Sequence, residues 1–262
     1  MGELYDALRE ALRAEEPVAL ATILEGPRVG AKLVVRPGAA PLGTLGDADL
    51  DRVVARDALG QLAAGASATR HYGLHGEARR RDVAVFVESY APPPRMVIFG
   101  AVDFTAALAR VAKVLGYRVT VCDARAVFAT PLRFPDADEV VVDWPDRHLA
   151  KVGDDLGPRD VVCVLTHDPK FDVPAIVAAL ETEVGYLGAM GSRRTHDDRV
   201  RRLRDAGVDD AGLARVMAPI GLDIGARTPE ETAISICSEI IALRTGRDGA
   251  PSLRDSDGPI HS

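Results

Sequence analysis

Chemistry concentrates in the segment Val184-Gly-Tyr-Leu-Gly-Ala-Met-Gly-Ser-Arg-Arg-Thr195. An apolar run of strand type ends in glycines, and Ser192, Arg193 and Arg194 open a helical pattern of Arg and Leu. A strand, a Gly-rich turn and a helix N-terminus form a ready anion site, because free backbone N–H groups and the helix dipole both face the turn. Arginine is badly placed at a helix N-terminus unless an anion offsets the dipole. Gly191, Ser192, Arg193 and Arg194 are therefore candidate binding residues, with Ser192 as helix N-cap. This local positive charge sits in a chain of net charge −7. That contrast favours a bound anion over general attraction to nucleic acid.

His167 and Asp168 directly follow the most apolar strand pattern, Asp160 to Thr166. In an open parallel sheet, ligands sit beyond the C-terminal strand ends. Both side chains are candidates for the crevice there, and a histidine in it can donate a hydrogen bond or move a proton near neutral pH. The competing reading is that the two merely organise the turn. Lys170 adds positive charge nearby or is a solvated surface lysine. A second Gly-spaced loop, Gly221-Leu-Asp-Ile-Gly-Ala-Arg227, contributes Asp223 and Arg227 as further candidates.

Phe99-Gly-Ala-Val-Asp-Phe-Thr105 stands where a dinucleotide-binding turn belongs, and Asp123 lies where the ribose-binding acid is expected, with Gly100 as the first glycine. The second glycine position is Val102, whose branched side chain blocks a pyrophosphate. Asp103 then puts a carboxylate at the helix N-terminus, where it is expected to cap the helix itself and repel phosphate. The expected architecture is Rossmann-like with a self-capped first helix.

Prolines divide the elements that position these residues. Ala91-Pro-Pro-Pro-Arg95 can join neither ladder nor helix. Before it, residues 1–90 read as a small α+β domain. Leu4, Leu8 and Leu12 share one helix face, Val18–Leu24 and Ala31–Val35 are strands, Asp47–Ala64 is a helix and Val83–Val87 a strand. After it, residues 95–246 alternate strand and helix. Strands are expected at 96–100, 118–123, 139–143, 160–166 and 185–190, with helices at 106–115, from about 173, and at 193–206. Thr228-Pro-Glu-Glu231 carries a capping box for the last helix. Near-continuous apolar strands between helices mean a parallel sheet covered on both faces. The fold class is α/β: a Rossmann-like doubly wound parallel sheet preceded by a small α+β domain. Residues 247–262, rich in Asp, Gly, Ser and Pro, read as a disordered tail.

Composition narrows the functional classes. Among 262 residues, 47% are hydrophobic and 27% charged, the balance of a soluble globular chain. No apolar run reaches a membrane span, and no signal-peptide layout opens the chain. A pI near 5.4 argues against nucleic-acid binding. Cys122, Cys163 and Cys237 are scattered in apolar segments and read as buried thiols of a cytoplasmic protein. Neither a metal-ligand spacing nor a catalytic triad is spelled out. His71, His75, His148 and His196 read as solvent-facing or local caps, and Arg199, Arg201, Arg202 and Arg204 as a solvated helix face.

Val164-Leu-Thr-His-Asp168, Gly188-Ala-Met-Gly-Ser-Arg-Arg-Thr195 and Ala218-Pro-Ile-Gly-Leu-Asp-Ile-Gly-Ala-Arg-Thr-Pro-Glu230 together resemble the XdhC-like family, maturation factors for xanthine dehydrogenase and carbon monoxide dehydrogenase. The Rossmann-like segment from Val97 to Asp123 fits the same family. The resemblance covers most of residues 95–245 and thins towards the N-terminus. It implies an accessory protein, a chaperone more than an enzyme, that binds molybdenum cofactor of the molybdopterin type and helps deliver it to a molybdenum hydroxylase client. On that reading the cofactor's phosphate lies near Ser192 to Arg194, His167 can donate to a pterin edge or to the phosphate, Asp223 can accept from the pterin's N–H groups, and Arg227 can join the anion cluster. Relatives commonly carry Gly-Gly-Cys after the early strand pair, where this chain has Leu42-Gly-Thr-Leu-Gly-Asp47. Sulfur transfer would then need a separate partner such as a cysteine desulfurase. The client, the pterin form and a homodimer stay open. The alternatives are an NAD(P)-dependent oxidoreductase with a degenerate Rossmann fingerprint, using Asp123 and His167, and a nucleotide-sensing module.

Overall fold

The computed structural model describes residues 2–247, so most of the segment expected to be a tail lies outside the described residues. The chain divides between Pro92 and Pro93 into two compact units.

The first unit runs α1 (Gly2–Arg13), β1 (Val18–Glu25), β2 (Lys32–Val35), β3 (Leu42–Thr44), α2 (Ala48–Ala64), β4 (Ala68–Tyr72) and β5 (Val83–Tyr90). Its antiparallel sheet has the order β3-β2-β1-β5-β4. Alternation sorts the side chains between two faces. Ala19, Ala21, Ile23, Val83, Val85 and Val87 bury against Leu50, Val54 and Leu62 of α2. Val18 and Val34 turn the other way onto Ala11, Leu4 and Leu8 of α1. Leu12, expected on that face, is exposed, because the helical step carries Ala11 into the core position instead. Asp47 caps α2 by accepting from Asp49 N–H and Leu50 N–H, both at 3.0 Å. The short polar strands β3 and β4 form the two edges, and no apolar period announces them.

The second unit runs β6 (Arg95–Phe99), α3 (Asp103–Val114), β7 (Arg118–Cys122), β8 (Glu139–Val141), α4 (Pro145–Val152) with a 3-10 turn after it, β9 (Val161–Val164), α5 (Pro169–Leu180), β10 (Tyr186–Ala189), α6 (Arg193–Asp205), α7 (Asp210–Ala214), β11 (Val216–Met217) and α8 (Pro229–Arg244). All six strands are parallel, in the order β11-β10-β9-β6-β7-β8. The chain builds outward from β6 in one direction and then from β9 in the other, which puts the topological switch between them. Each strand feeds two cores. Met96, Ile98, Val119, Val121 and Cys163 pack against α3 and α8. Val97, Phe99, Val162, Val164 and Leu187 pack against Ala175, Ile176 and Leu203 of α5 and α6. This is the Rossmann-like doubly wound sheet that the strand pattern predicts.

Three details differ from the expectation. Helix α5 begins at Pro169, four residues early, because Asp168 caps it and proline is welcome in a first turn. Helix α4, which no expected element covers, opens with Pro145 after the N-cap Trp144 and turns Pro145, His148 and Leu149 inward at helical spacing. His148 on α4 is buried, not solvent-facing; its ring meets Phe99 edge-on, centroids 6.2 Å apart. Burial lowers its pKa.

Gly100 ties the two halves of the sheet together. It holds φ +111°, and a Cβ there would lie 3.0 Å from the Thr166 backbone nitrogen. Gly100→Ala should therefore cost about 1–2 kcal/mol from the positive φ alone. The expected result is a lower urea midpoint with an unchanged m-value; an unchanged midpoint would show that the backbone relaxes freely.

Candidate functional site

The parallel strands deliver the candidates to the C-terminal edge of the second sheet. Gly100 follows β6, Asp123 follows β7, His167 and Asp168 follow β9, and Gly191 to Arg194 follow β10.

Three amides of the turn after β6 are bonded within the protein. Gly100 N–H donates to Cys122 O at 3.0 Å, Ala101 N–H to Asp123 Oδ2 at 2.8 Å and Val102 N–H to Thr105 Oγ1 at 3.4 Å. The Thr105 hydroxyl donates to Gly100 O. Asp103 does not cap the helix as expected. Its side chain is 90% exposed and lies 3.7 Å from Arg133, because Val102 holds the N-cap position and leaves Asp103 pointing outward from the first turn.

Asp123 is fully engaged within the protein. Besides Ala101 N–H, its carboxylate accepts from Arg125 N–H at 2.9 Å, Nε at 2.9 Å and Nη2 at 2.7 Å. Burial alone would raise its pKa, but the Arg125 guanidinium and the backbone donors outweigh it and hold the carboxyl below its ordinary range. Nothing in the sequence pattern marks Arg125 as part of the site. Its guanidinium lies 4.7 Å from the Phe128 ring and 5.9 Å from Phe171, within cation–π reach. A ribose hydroxyl would have to displace Arg125 to use this acid.

Asp168 caps α5, accepting from Lys170 N–H at 3.2 Å, and pairs with the Lys170 ammonium at 3.1 Å. That amide, the ammonium and the field of Arg125 hold its carboxyl below the ordinary range. Lys170 also lies 4.7 Å from the Phe171 ring. His167 is exposed and makes no hydrogen bond among the described residues.

In the turn after β10, Ser192 Oγ caps α6 by accepting from Thr195 N–H at 3.1 Å. Gly191 has φ +151°, and a Cβ would lie 3.1 Å from Thr195 Cβ and 3.6 Å from Arg199 Nη2. Arg193 and Arg194 are exposed in the first turn of α6. Among the described residues neither has an ion pair or a hydrogen bond to a carboxylate. The helix dipole opposes both, so the turn presents two uncompensated cations.

Arg199 corrects the reading of α6 as a solvated arginine face. It is 1% exposed. Its Nη2 donates to Met190 O at 2.8 Å, and Nε and Nη2 reach Asp172 Oδ2 at 3.1 and 3.0 Å. Arg199 thus fastens the end of β10 to the first turn of α5, holding the Gly191 turn beside the His167–Asp168 turn. Arg199 Nη1 and Asp172 Oδ1 are buried without a partner among the described residues.

Asp223 and Arg227 stand exposed in the loop between β11 and α8. Among the described residues, no hydrogen bond or ion pair joins either side chain to the other candidates. Arg227 N–H donates to Glu231 Oε2 at 2.7 Å, beside the expected Thr228–Glu231 capping box. Gly221 N–H donates to Glu239 at 2.9 Å. All three cysteines are buried. Burial pushes Cys122 up to about 12 and Cys237 up to about 11, and raises Cys163 well above the ordinary thiol value. Among the described residues, no group of three or more His, Cys, Asp or Glu is arranged to hold a metal ion. None of the described helices is long and apolar enough to cross a membrane.

A Rossmann-like sheet with a cationic helix-opening turn one strand from its switch point defines an α/β protein of the dinucleotide-fold class. The XdhC Rossmann domain model matches residues 96–240, and the XdhC and CoxI family model matches residues 11–73. The chain belongs to the XdhC family. It is 29% identical over 275 residues to the uncharacterized protein YqeB of Escherichia coli, covering 96% of this chain and 49% of that one. It is 32% identical to a probable xanthine dehydrogenase subunit of Bacillus subtilis, over 61% of this chain and 46% of that one. Over 38% of this chain and 31% of the other, it is 31% identical to the molybdenum cofactor insertion chaperone PaoD of Escherichia coli. The chain thus spans about half or less of each of these relatives. A crystal structure described as a xanthine dehydrogenase from Bacillus halodurans shares the fold, with a TM-score of 0.55 at 23% identity, covering 95% of this chain and 97% of that one.

Two substitutions probe the buried links. Arg199→Ala should cost about 3–5 kcal/mol, since it leaves Asp172 charged and buried without its partner. A loss below 1 kcal/mol in urea unfolding would mean that the pair is not closed in solution. Asp123→Asn should cost about 1.5–3 kcal/mol at neutral pH, the worth of hydrogen bonds to a charged group. The wild-type advantage comes from a lowered pKa, so it is present above about pH 4 and fades as pH falls through the folded value. The two stability curves should therefore converge in acid; parallel curves would refute this account of Asp123.

Proposed function

We propose that this chain is a maturation factor that binds molybdenum cofactor as cargo and passes it to a molybdenum hydroxylase of the xanthine or carbon monoxide dehydrogenase type. One observation carries the reading within the molecule. Among the described residues Arg193 and Arg194 have no carboxylate partner, and they sit where the dipole of α6 disfavours them, as suits a binding turn for a phosphate-bearing ligand. Family membership and the likeness to PaoD support molybdenum cofactor as that ligand. The cargo's phosphate would be held by Arg193, Arg194 and the amides around Gly191, while Ser192 Oγ stays committed to the cap. His167, exposed and unbonded, is the group available for a hydrogen bond or a proton. Asp168 keeps that turn in place, and Gly100 closes its floor. Asp223 and Arg227 belong to the cargo's outer contacts on this reading. We place the protein in the cytoplasm with a molybdenum hydroxylase as client. The three buried thiols are poor nucleophiles, so sulfur for the cofactor would come from a separate donor such as a cysteine desulfurase. An oxidoreductase role is disfavoured, since Asp123 is occupied by Arg125 and the amides of Gly100, Ala101 and Val102 are already bonded within the protein.

Calorimetry on the full chain tests the reading. Molybdopterin-type ligand should bind and NAD(P)H should not; micromolar NAD(P)H affinity without pterin affinity would overturn it. Arg193→Ala/Arg194→Ala should weaken pterin binding by about tenfold to a hundredfold, the loss of charge-assisted contacts worth about 1.5–3 kcal/mol. The fold should be unaffected, because each arginine is exposed and opposed by the dipole. His167→Asn should reduce binding or delivery with little change in melting temperature, whereas a stability loss with intact binding would assign it to the turn.

A further inference from the structure

The first unit carries a second concentration of positive charge, independent of the turn after β10. A cleft of about 560 Å³ lies against the edge strand β4, between α2 and the loop that leads into β5. Arg56 and Asp57 line it from α2, Arg70 and Tyr72 from β4, and Arg79, Arg80 and Arg81 from the loop. Hydrogen bonds hold its walls. Asp82 N–H donates to Tyr72 O at 2.9 Å and Gly76 N–H to Gly73 O at 3.0 Å. The Tyr72 hydroxyl donates to Asp57 Oδ2 at 3.2 Å, and Arg56 takes the other oxygen at 3.0 Å.

Asp57 is thereby spent on Arg56 and Tyr72. Glu77 lies within Coulombic reach of Arg80. Arg70, Arg79 and Arg81 have no ion pair or hydrogen bond to a carboxylate among the described residues. Five guanidinium groups thus stand at one cleft against these two carboxylates, in a chain whose net charge is −7. Edge strands often carry scattered charge against aggregation, but that role needs no cleft and no convergence of arginines from three separate elements. Guanidinium forks match phosphate oxygens in paired hydrogen bonds. A phosphate brings about −1.5 to −2 charges, so two linked phosphates can neutralise the excess within a cleft of ordinary ligand size.

We propose that this cleft binds an oligophosphate, a ligand with at least two linked phosphate groups. The proposal does not rest on the cofactor-binding reading. Inorganic pyrophosphate is the probe, titrated calorimetrically into the full chain at physiological salt. Saturable one-to-one binding is expected. Arg79→Glu/Arg81→Glu should weaken it tenfold or more, with melting temperature retained because both side chains are exposed. Arg9→Glu/Arg13→Glu on α1 changes net charge equally and should stay within about twofold of wild type. Equal loss in both double variants would reduce the effect to general charge and overturn the proposal. So would absence of saturable binding to the wild type, or binding that disappears instead in Arg193→Ala/Arg194→Ala. The neutral pair Arg79→Gln/Arg81→Gln covers the case in which charge reversal unfolds the loop, and it too should lose at least several-fold.

Discussion

A parallel strand covered on both faces has nowhere to put a polar side chain. That constraint governs the second unit. Its strands β6, β7, β9 and β10 spend alternate residues on two cores, so chemistry is confined to the residues just past the strand ends. His167, Asp168 and the Gly191–Arg194 turn are where they are because apolar strands stop there. The same constraint makes the ends crowded. Gly100 lies against the backbone at Thr166, and Asp123 is absorbed into bracing the turn after β6. What looks like a dinucleotide site in outline is a turn bonded to Asp123 and Arg125, and the turn one strand beyond β9 carries the exposed Arg193 and Arg194.

The buried Arg199–Asp172 pair is a charged exception to the rule of apolar interiors, and its place explains it. Three chain segments meet there: the end of β10, the start of α5 and the middle of α6. A hydrophobic side chain could fill the volume but could not satisfy the Met190 carbonyl. An arginine does so and fixes direction as well, since its fork admits few arrangements. The pair therefore sets the spacing between two neighbouring loops more than it adds to stability, as buried ion pairs often contribute little net energy.

Much of this is legible in the residues. The apolar run Val161–Leu165, the glycine turn before Ser192 and the capping box at Thr228 each carry a local physical signal, and each appears in the structure. Strands β3 and β4 carry none, because an edge strand is short, polar and defined by its neighbour. Arg199 is hidden for a related reason. Charge in a run of arginines reads as solvent exposure, and only the position of Asp172, 27 residues earlier, reverses that. Arg125 likewise carries no signal of its own until Asp123 is seen to hold it. Long-range polar partnerships leave no periodic trace, whereas apolar packing does. Whether His167, Asp223 and Arg227 touch a ligand depends on a molecule that no sequence pattern encodes.

Only Arg199 and Leu203 are buried on α6. They stand four positions apart, one turn, and form a narrow spine along which the whole helix is attached. Every other position on its first three turns faces outward or sideways. Arg193, Arg194, Arg201 and Arg202 can therefore be exchanged without disturbing either core. This separates the charge that the helix presents from the contacts that keep it folded. A lineage can drift in the charge it presents while the spine stays constant. Relatives that share this sheet need not share a ligand, and divergence among them should appear first on that outward face.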